Sequence, residues 1–333
     1  MNNELSHRDR IEKVLSGENP DRIPISLWRH FPVDDQYPER LARATLIFQK
    51  KYDFDFVKVT PSSSFCLKDW GVQDEWKGNP EGTRNYLSTI QLRLEDFYKF
   101  SLNDPKTGYL GQQLDCLKIL KKEVALDTPI IQTIFSPLSQ LKNLIGKHNI
   151  PCFLRLHPQE ALQLLDVITI TTSNFINECQ TIGIDGIFFA VQQASFDILN
   201  ENEFELFGQK YDLKVLSVIN DFWFNILHLH GNNVMFDIVK NYPCQVVNWH
   251  DREAFPSLRE AFNQSNKVLC GGINRMRTMV LGDEELIRNE IITATEQTGG
   301  RRLIVSTGCV LPMITPECNI SYARSVVDTI SNS

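Results

Sequence analysis

Eight short apolar, β-branched runs alternate with longer stretches of helical spacing, and that rhythm constrains this chain more than any other feature. The runs cover residues 22–27, 54–60, 129–135, 185–191, 225–228, 245–249, 267–271 and 302–307. Helical stretches are predicted at 7–16, 38–52, 158–179, 233–241, 252–263, 283–298 and 319–330. In 38–52, Leu41, Ala44, Ile47 and Phe48 fall on one helical face. In 158–179, Pro158 suits a first helical turn. The helix at 7–16 is placed to cap the bottom of the sheet. Strand–helix alternation predicts a parallel sheet covered by helices, and eight strands are what a closed barrel needs. The whole chain, 1–333, therefore reads as one α/β domain, a single (β/α)8 TIM-type barrel. Residues 62–127 exceed one crossover and predict an insertion after strand two, with a lid or extra hairpin near 70–82.

With 42% hydrophobic residues and 23% charged, a chain of 333 residues can bury a large core without staples. The net charge is −7, and the densest basic runs, Lys50-Lys51, Lys121-Lys122 and Arg301-Arg302, are only pairs. No nucleic-acid partner is expected. The apolar stretches are too short to span a bilayer, and residues 1–10 are polar and lack an apolar signal core, so a cytoplasmic location with no membrane partner is expected. The eight cysteines, at 66, 116, 152, 179, 244, 270, 309 and 318, show no paired spacing. In a reducing compartment most would be small buried hydrophobes.

In such barrels the loops after the strands build the active site. His30, His228, His230 and His250 all fall at predicted strand ends on that face. His228 and His230 are two apart on an extended strand end, so both imidazoles point the same way and can reach one ion. Cys309 follows the last strand. Two imidazoles and a thiolate suit zinc, and three protein ligands leave a fourth position open for catalysis. Spacing alone also permits a chance pair of histidines and a small buried cysteine. His250, followed by Asp251, reads either as a general acid or as a polar loop residue bonded to backbone. Arg29 beside His30 reads either as a carboxylate clamp or as a surface ion pair. The Gly271-Gly272 pair is too short for a nucleotide fingerprint.

Several motifs together resemble the uroporphyrinogen decarboxylase superfamily. They are Pro24-Ile-Ser-Leu-Trp-Arg29, Phe54-Asp-Phe-Val-Lys-Val-Thr-Pro61, Phe135-Ser-Pro137, Gly183-Ile-Asp-Gly186, and Gly308-Cys309 with Pro312, Thr315-Pro316 and Asn319. The resemblance implies one of two chemistries. One branch holds metal-free decarboxylases of tetrapyrrole (haem) biosynthesis. The other holds zinc-dependent, corrinoid-linked methyltransferases acting on thiols of the coenzyme M type.

The residues favour the second branch. The decarboxylases share an M-R-Q-A-G-R segment, where Trp28-Arg29-His30-Phe31-Pro32 keeps one arginine. They carry an aspartate after strand two, where this chain has Thr60-Pro61-Ser62-Ser63, and a tyrosine after strand three, near Asn143 here. Their closing motif has histidine in place of Cys309. The methyltransferases show H-x-C-G-N after strand five and G-C after strand eight; His228-Leu229-His230-Gly231-Asn232 and Gly308-Cys309 match, with His230 replacing a cysteine.

The resemblance then implies zinc on His228, His230 and Cys309, a small-molecule thiol as substrate, and a corrinoid methyl donor of the methylcobalamin type, with a corrinoid carrier protein as partner. Arg29 and His30 would bind the thiol's anionic tail, and His250 or Gln192 would orient its sulfur. A barrel that binds a corrinoid or tetrapyrrole as a carrier or sensor, without zinc and without catalysis, is the remaining alternative. The missing acid after strand two carries a prediction: purified protein should turn over uroporphyrinogen slowly. Loss of one charge-stabilising group commonly costs about 10²–10³ in rate. Coproporphyrinogen formation at a decarboxylase's rate would contradict the reading.

Overall fold

The computed structural model describes residues 4–88, 100–146 and 150–330. Seven strands, all parallel, form one curled sheet with helices packed on it, consistent with a TIM-type barrel. They are β1 (Val57–Val59), β4 (Ile130–Phe135), β5 (Gly186–Val191), β6 (Ile226–Leu229), β7 (Val246–Trp249), β8 (Val268–Ile273) and β9 (Leu303–Thr307), hydrogen-bonded in that order. Every residue of these strands is buried, as a sheet covered on both faces requires. A separate antiparallel pair, β2 (Gln73–Glu75) and β3 (Asn85–Ser88), lies in the 62–127 stretch, part of which falls outside the described residues. Among the described residues no helix is long and apolar enough to cross a membrane.

The first predicted strand, 22–27, does not form. Pro24 has no N–H to give a ladder, so pairing is reduced to isolated bridges at Ile25–Val305 and Arg29–Leu311. The segment still lies between the outer strands. Val305 N–H donates to Pro24 O at 2.8 Å, Ser26 N–H to Val305 O at 3.1 Å, and Asp55 N–H to Ile25 O at 3.0 Å.

Two predicted helices also change. The stretch 233–241 is a 3-10 turn at Phe236–Asn241, entered through Asn233 with a left-handed φ of 47°. The stretch 252–263 is helical only at Leu258–Gln264. Pro256 interrupts it, and Ser257 caps the shortened helix, its side chain accepting from Glu260 N–H. The others run at His7–Leu15, Pro38–Tyr52, Pro158–Ile182, Glu284–Thr298 and Glu317–Thr329. Helical regions not predicted cover Gly108–Glu123, Pro137–Ile145, Ile150–Leu156, Glu201–Phe204, a π turn at Glu205–Gln209 and Lys210–Leu216.

Helix His7–Leu15 sits under the amino ends of the strands. Its Arg10, 1% exposed, donates to Asp55 at 2.7 Å and to Asp21 at 2.8 Å. Asp55 is fully buried and also accepts from Arg22 at 2.7 Å, from Ile25 N–H at 2.7 Å and from His7 at 3.0 Å. Burial alone would raise this carboxyl, but bonds from His7 and Arg22 and the charges of both arginines hold it far below its ordinary value. A depressed carboxyl adds stability above its unfolded value, and that stability is lost as pH falls toward the folded one. His7 acts oppositely. Burial lowers it, the Asp55 and Asp53 contacts outweigh that and raise it, and its contribution disappears as pH rises through the raised value.

Asp55→Asn should therefore cost about 3–5 kcal/mol in urea unfolding, since it strands two buried guanidinium groups. Asp53→Asn should cost under about 1 kcal/mol. That side chain is exposed, and asparagine tolerates the left-handed φ of 52° found there. Equal losses in the two variants would contradict the account of the barrel floor.

Candidate metal centre and barrel mouth

Parallel strands bring all their carboxyl ends to one rim, and the candidate residues collect there. His228 lies in β6, paired in register with Asn248 of β7. The His228 Nδ1 lies 2.7 Å from the Asn248 side-chain oxygen, and the Asn248 amide donates to Cys270 O at 2.7 Å and Thr307 O at 3.1 Å. Those bonds fix the ring and leave Nε2 toward the mouth. Two residues on, His230 repeats the same facing, and Gly231 then turns the chain away at a φ of 99° that favours glycine. Asn248 and His250 are likewise two apart. The Nδ1 of His250 lies 3.0 Å from Glu253 Oε2, and its buried Nε2 has no hydrogen-bond partner among the described residues.

Cys309 arrives from β9 through Gly308. A Cβ at Gly308 would lie 2.6 Å from His250 Cα and 2.6 Å from Trp249 O, so only glycine lets the two loops approach this closely. The result is a cluster of one ligand atom each from His228, His230, His250 and Cys309, all within 4.8 Å of one another. The ring centroids of His230 and His250 are 5.2 Å apart, and Cys309 Sγ lies 3.7 Å from His230 Nδ1. Burial would raise the thiol, but the three imidazoles packed against it and the charge of His230 hold it well below its ordinary value. His228 is pushed down, mainly by burial. His250 is raised: burial opposes this, while Cys309 and Glu253 outweigh it.

Three imidazoles and a thiolate are donors zinc accepts, and about 3.5 Å is the edge of a tetrahedron with zinc-length bonds. The residues present fit such an ion. They also exceed the expected set. The sequence pointed to three ligands with an open position, and His250, read as an acid or orienting group, joins them as a fourth donor.

The remaining site residues divide. Trp28 and His30 turn into the barrel, so Arg29 between them turns out. Its guanidinium sits 5.5 Å over Phe31 and 5.3 Å over Phe48, in a surface groove away from the cluster. Arg29 is thus no part of this mouth, and strand alternation is the reason. His30 is buried close to it, pushed down to about 4 by burial and by the charge of Lys58. Gln192 lines a cavity of about 750 Å³ that opens beside His230, with Gln193, Lys142, Arg84 and Tyr86. Its side-chain oxygen accepts from Lys142 at 2.6 Å.

Sequence reading passed over Lys58, Asn248, Glu253 and Arg275. Lys58 had a visible signal, since Phe56, Lys58 and Thr60 form one period-two face of an apolar run. It is buried against the Phe188 ring at 4.4 Å, with Thr60 at 3.3 Å, and burial lowers it to about 7. The other three depend on tertiary placement: Asn248 on the β6–β7 register, Glu253 on the turn that brings it to His250, and Arg275 on its contact with Glu81.

No curated protein matches the sequence. Among solved structures, a methyltransferase from Methanosarcina mazei superposes with a TM-score of 0.84 at 18% identity, covering 98% of this chain and 99% of that one. A B12-independent methionine synthase from Shewanella sp. W3-18-1 superposes with a TM-score of 0.62 at 12% identity, covering 93% and 95%. At these identities the likeness is one of fold. The sequence profile of the family described as uroporphyrinogen decarboxylase (URO-D) matches residues 30–330, and the chain belongs to that family.

Proposed function

We propose that this chain is a zinc-dependent methyltransferase that moves a methyl group from a corrinoid to a small thiol. The observation that carries the reading is the cluster of His228, His230, His250 and Cys309 at the rim, beside a cavity of about 750 Å³. The resemblance of the His228–Asn232 and Gly308-Cys309 motifs to the methyltransferase branch supports it. So does a fold shared with a structure that bears the name methyltransferase.

In this reading His228, His230 and Cys309 would hold the ion and His250 would yield the fourth position to a thiol, while Asn248 and Glu253 fix two of the imidazoles. A zinc ion lowers the pKa of a thiol and keeps it ionised at neutral pH. His30 closes one side of the mouth, and Gln192, with its amide fixed by Lys142, lines the approach of the sulfur. When bound, the corrinoid would supply the methyl group as a cation equivalent, its cobalt retaining the electron pair of the broken cobalt–carbon bond as the carbon–sulfur bond forms. The donor is a corrinoid of the methylcobalamin type on a carrier protein in the cytoplasm. The segment 24–29 takes the eighth place and closes the ring.

One observation favours a second reading. Four donors are the set of a closed, structural zinc site, whereas a catalytic site keeps a position open. A barrel with a structural ion would bind a corrinoid or tetrapyrrole without turning over. The decarboxylase alternative lacks the acid after strand two and has no further support at this mouth.

Purified protein should hold about one zinc per chain by elemental analysis. Cys309→Ala should lose most of it, and Gly308→Ala should lose it too, because the added methyl group pushes Cys309 away from His250. Retention of full zinc by Cys309→Ala would return the cysteine to a merely buried residue.

With methylcobalamin and a thiol, the zinc-loaded protein should accelerate loss of the cobalt–carbon absorbance, and Cys309→Ala should not. An intact zinc complement without any acceleration would select the structural reading. His230→Cys should keep zinc and speed transfer, since a second thiolate makes the site more electron-rich.

A further inference from the structure

On the outside of the barrel, helix Pro38–Tyr52, the 29–34 segment and Glu317 of the last helix line a groove of about 560 Å³. That volume is in the range of small-molecule sites. One face of the helix supplies a wall. Arg40, Arg43, Ala44, Ile47 and Lys51 recur at helical spacing, and all of them line the groove. Ile47 is 56% exposed there, an apolar side chain among cations.

Arg29 enters from the other side, because Trp28 and His30 turn into the barrel. Its guanidinium rests against the rings of Phe31 and Phe48. Contact with a ring uses the face of a guanidinium and leaves its five N–H donors to seek acceptors. Among the described residues the Arg29 side chain has no hydrogen bond and no ion pair, and neither have Arg43 and Arg40, the last of which lies 4.7 Å over the Tyr37 ring. The carboxylates of the groove do not serve them. Glu317 is taken by Lys51 at 2.6 Å in the last turn of the helix, and Asp34 lies before its first turn. In a chain of net charge −7 the groove is a local reversal of sign.

Guanidinium forks match the paired oxygens of phosphates and carboxylates. Two features favour a compact polyanion over an acidic protein segment. The hollow is the size of a small ligand, and an acidic chain leaving it along the helix would meet Asp34 in one direction and Glu317 in the other. We propose that this groove binds an organic polyphosphate of nucleotide size, its phosphates on Arg29, Arg40 and Arg43 and its apolar part against Ile47 and Phe48. The site is separate from the metal centre and does not depend on the methyl-transfer reading.

The test is isothermal titration of the full chain with ATP, tripolyphosphate, adenosine and a hexaglutamate peptide, at low salt and without added metal ions. ATP should bind most tightly, tripolyphosphate less so and adenosine least. Arg29→Gln and Arg43→Gln should each weaken ATP roughly tenfold. Arg29→Lys should recover only part of that loss, since an ammonium lacks the fork. Arg43 is exposed, so its variant reads binding without disturbing the core. Arg301→Gln, which removes an exposed arginine outside the groove, should leave ATP binding unchanged. Failure of both ATP and tripolyphosphate to bind would overturn the proposal, and so would ATP binding that survives Arg29→Gln and Arg43→Gln. Hexaglutamate binding more tightly than ATP would overturn it as well and make the groove a protein-docking surface.

Discussion

Seven strands running in one direction set seven carboxyl ends along one rim, and the candidate centre hangs from that rim. The in-register pairing of His228 with Asn248 is the first fixed point. Because side chains alternate with period two, that one register also sets His230, and through Asn248 it sets His250. Gly308 is the second fixed point. It lets β9's loop touch the backbone of His250, and the cysteine is delivered to the histidines without any long side chain reaching across. A one-residue slip of β6 against β7 would turn both imidazoles into the apolar layer under the helices.

The charge distribution comes from the same geometry. One thiolate and three neutral imidazoles would leave a bound divalent ion with a net positive charge. Lys58 adds to it from inside the barrel, held by a hydroxyl and two aromatic faces, with no carboxylate bonded to it among the described residues. Arg275 adds to it from the rim. A protein of net charge −7 thus gathers positive charge at one mouth, balanced there in part by Glu81. Low-dielectric walls strengthen that field and favour an anionic ligand over a neutral one. At the other end of the barrel the opposite holds, where Asp55 gathers two arginines and a histidine into a satisfied network.

Much of this was legible in the sequence. The seven later strands were visible as apolar runs, because a sheet buried on both faces leaves no polar alternation to blur them. His228, His230 and Cys309 were visible because strand ends and period two locate side chains without tertiary knowledge. Arg29 was misread for the same reason in reverse: in 28–30 the facing of each residue depends on which neighbour turns inward, and Trp28 takes the interior beside Phe56 and Phe188. The first run failed as a strand because Pro24 cannot donate. His250's place among the donors was hidden, since it depends on how closely two loops approach and Gly308 carries no side-chain signal. The Glu81–Arg275 pair was hidden for a similar reason, as it joins residues from two loops far apart in the chain.

If the cluster holds an ion that a thiol can reach, added thiol must enter the ion's coordination shell. Zinc-edge X-ray absorption of the metal-loaded protein, with and without added 3-mercaptopropionate, tests it directly. The account predicts one sulfur and three nitrogens in the resting shell, and a second sulfur at about 2.3 Å when the thiol is added. A shell that keeps one sulfur and three nitrogens at saturating thiol would contradict it and leave the ion a structural one.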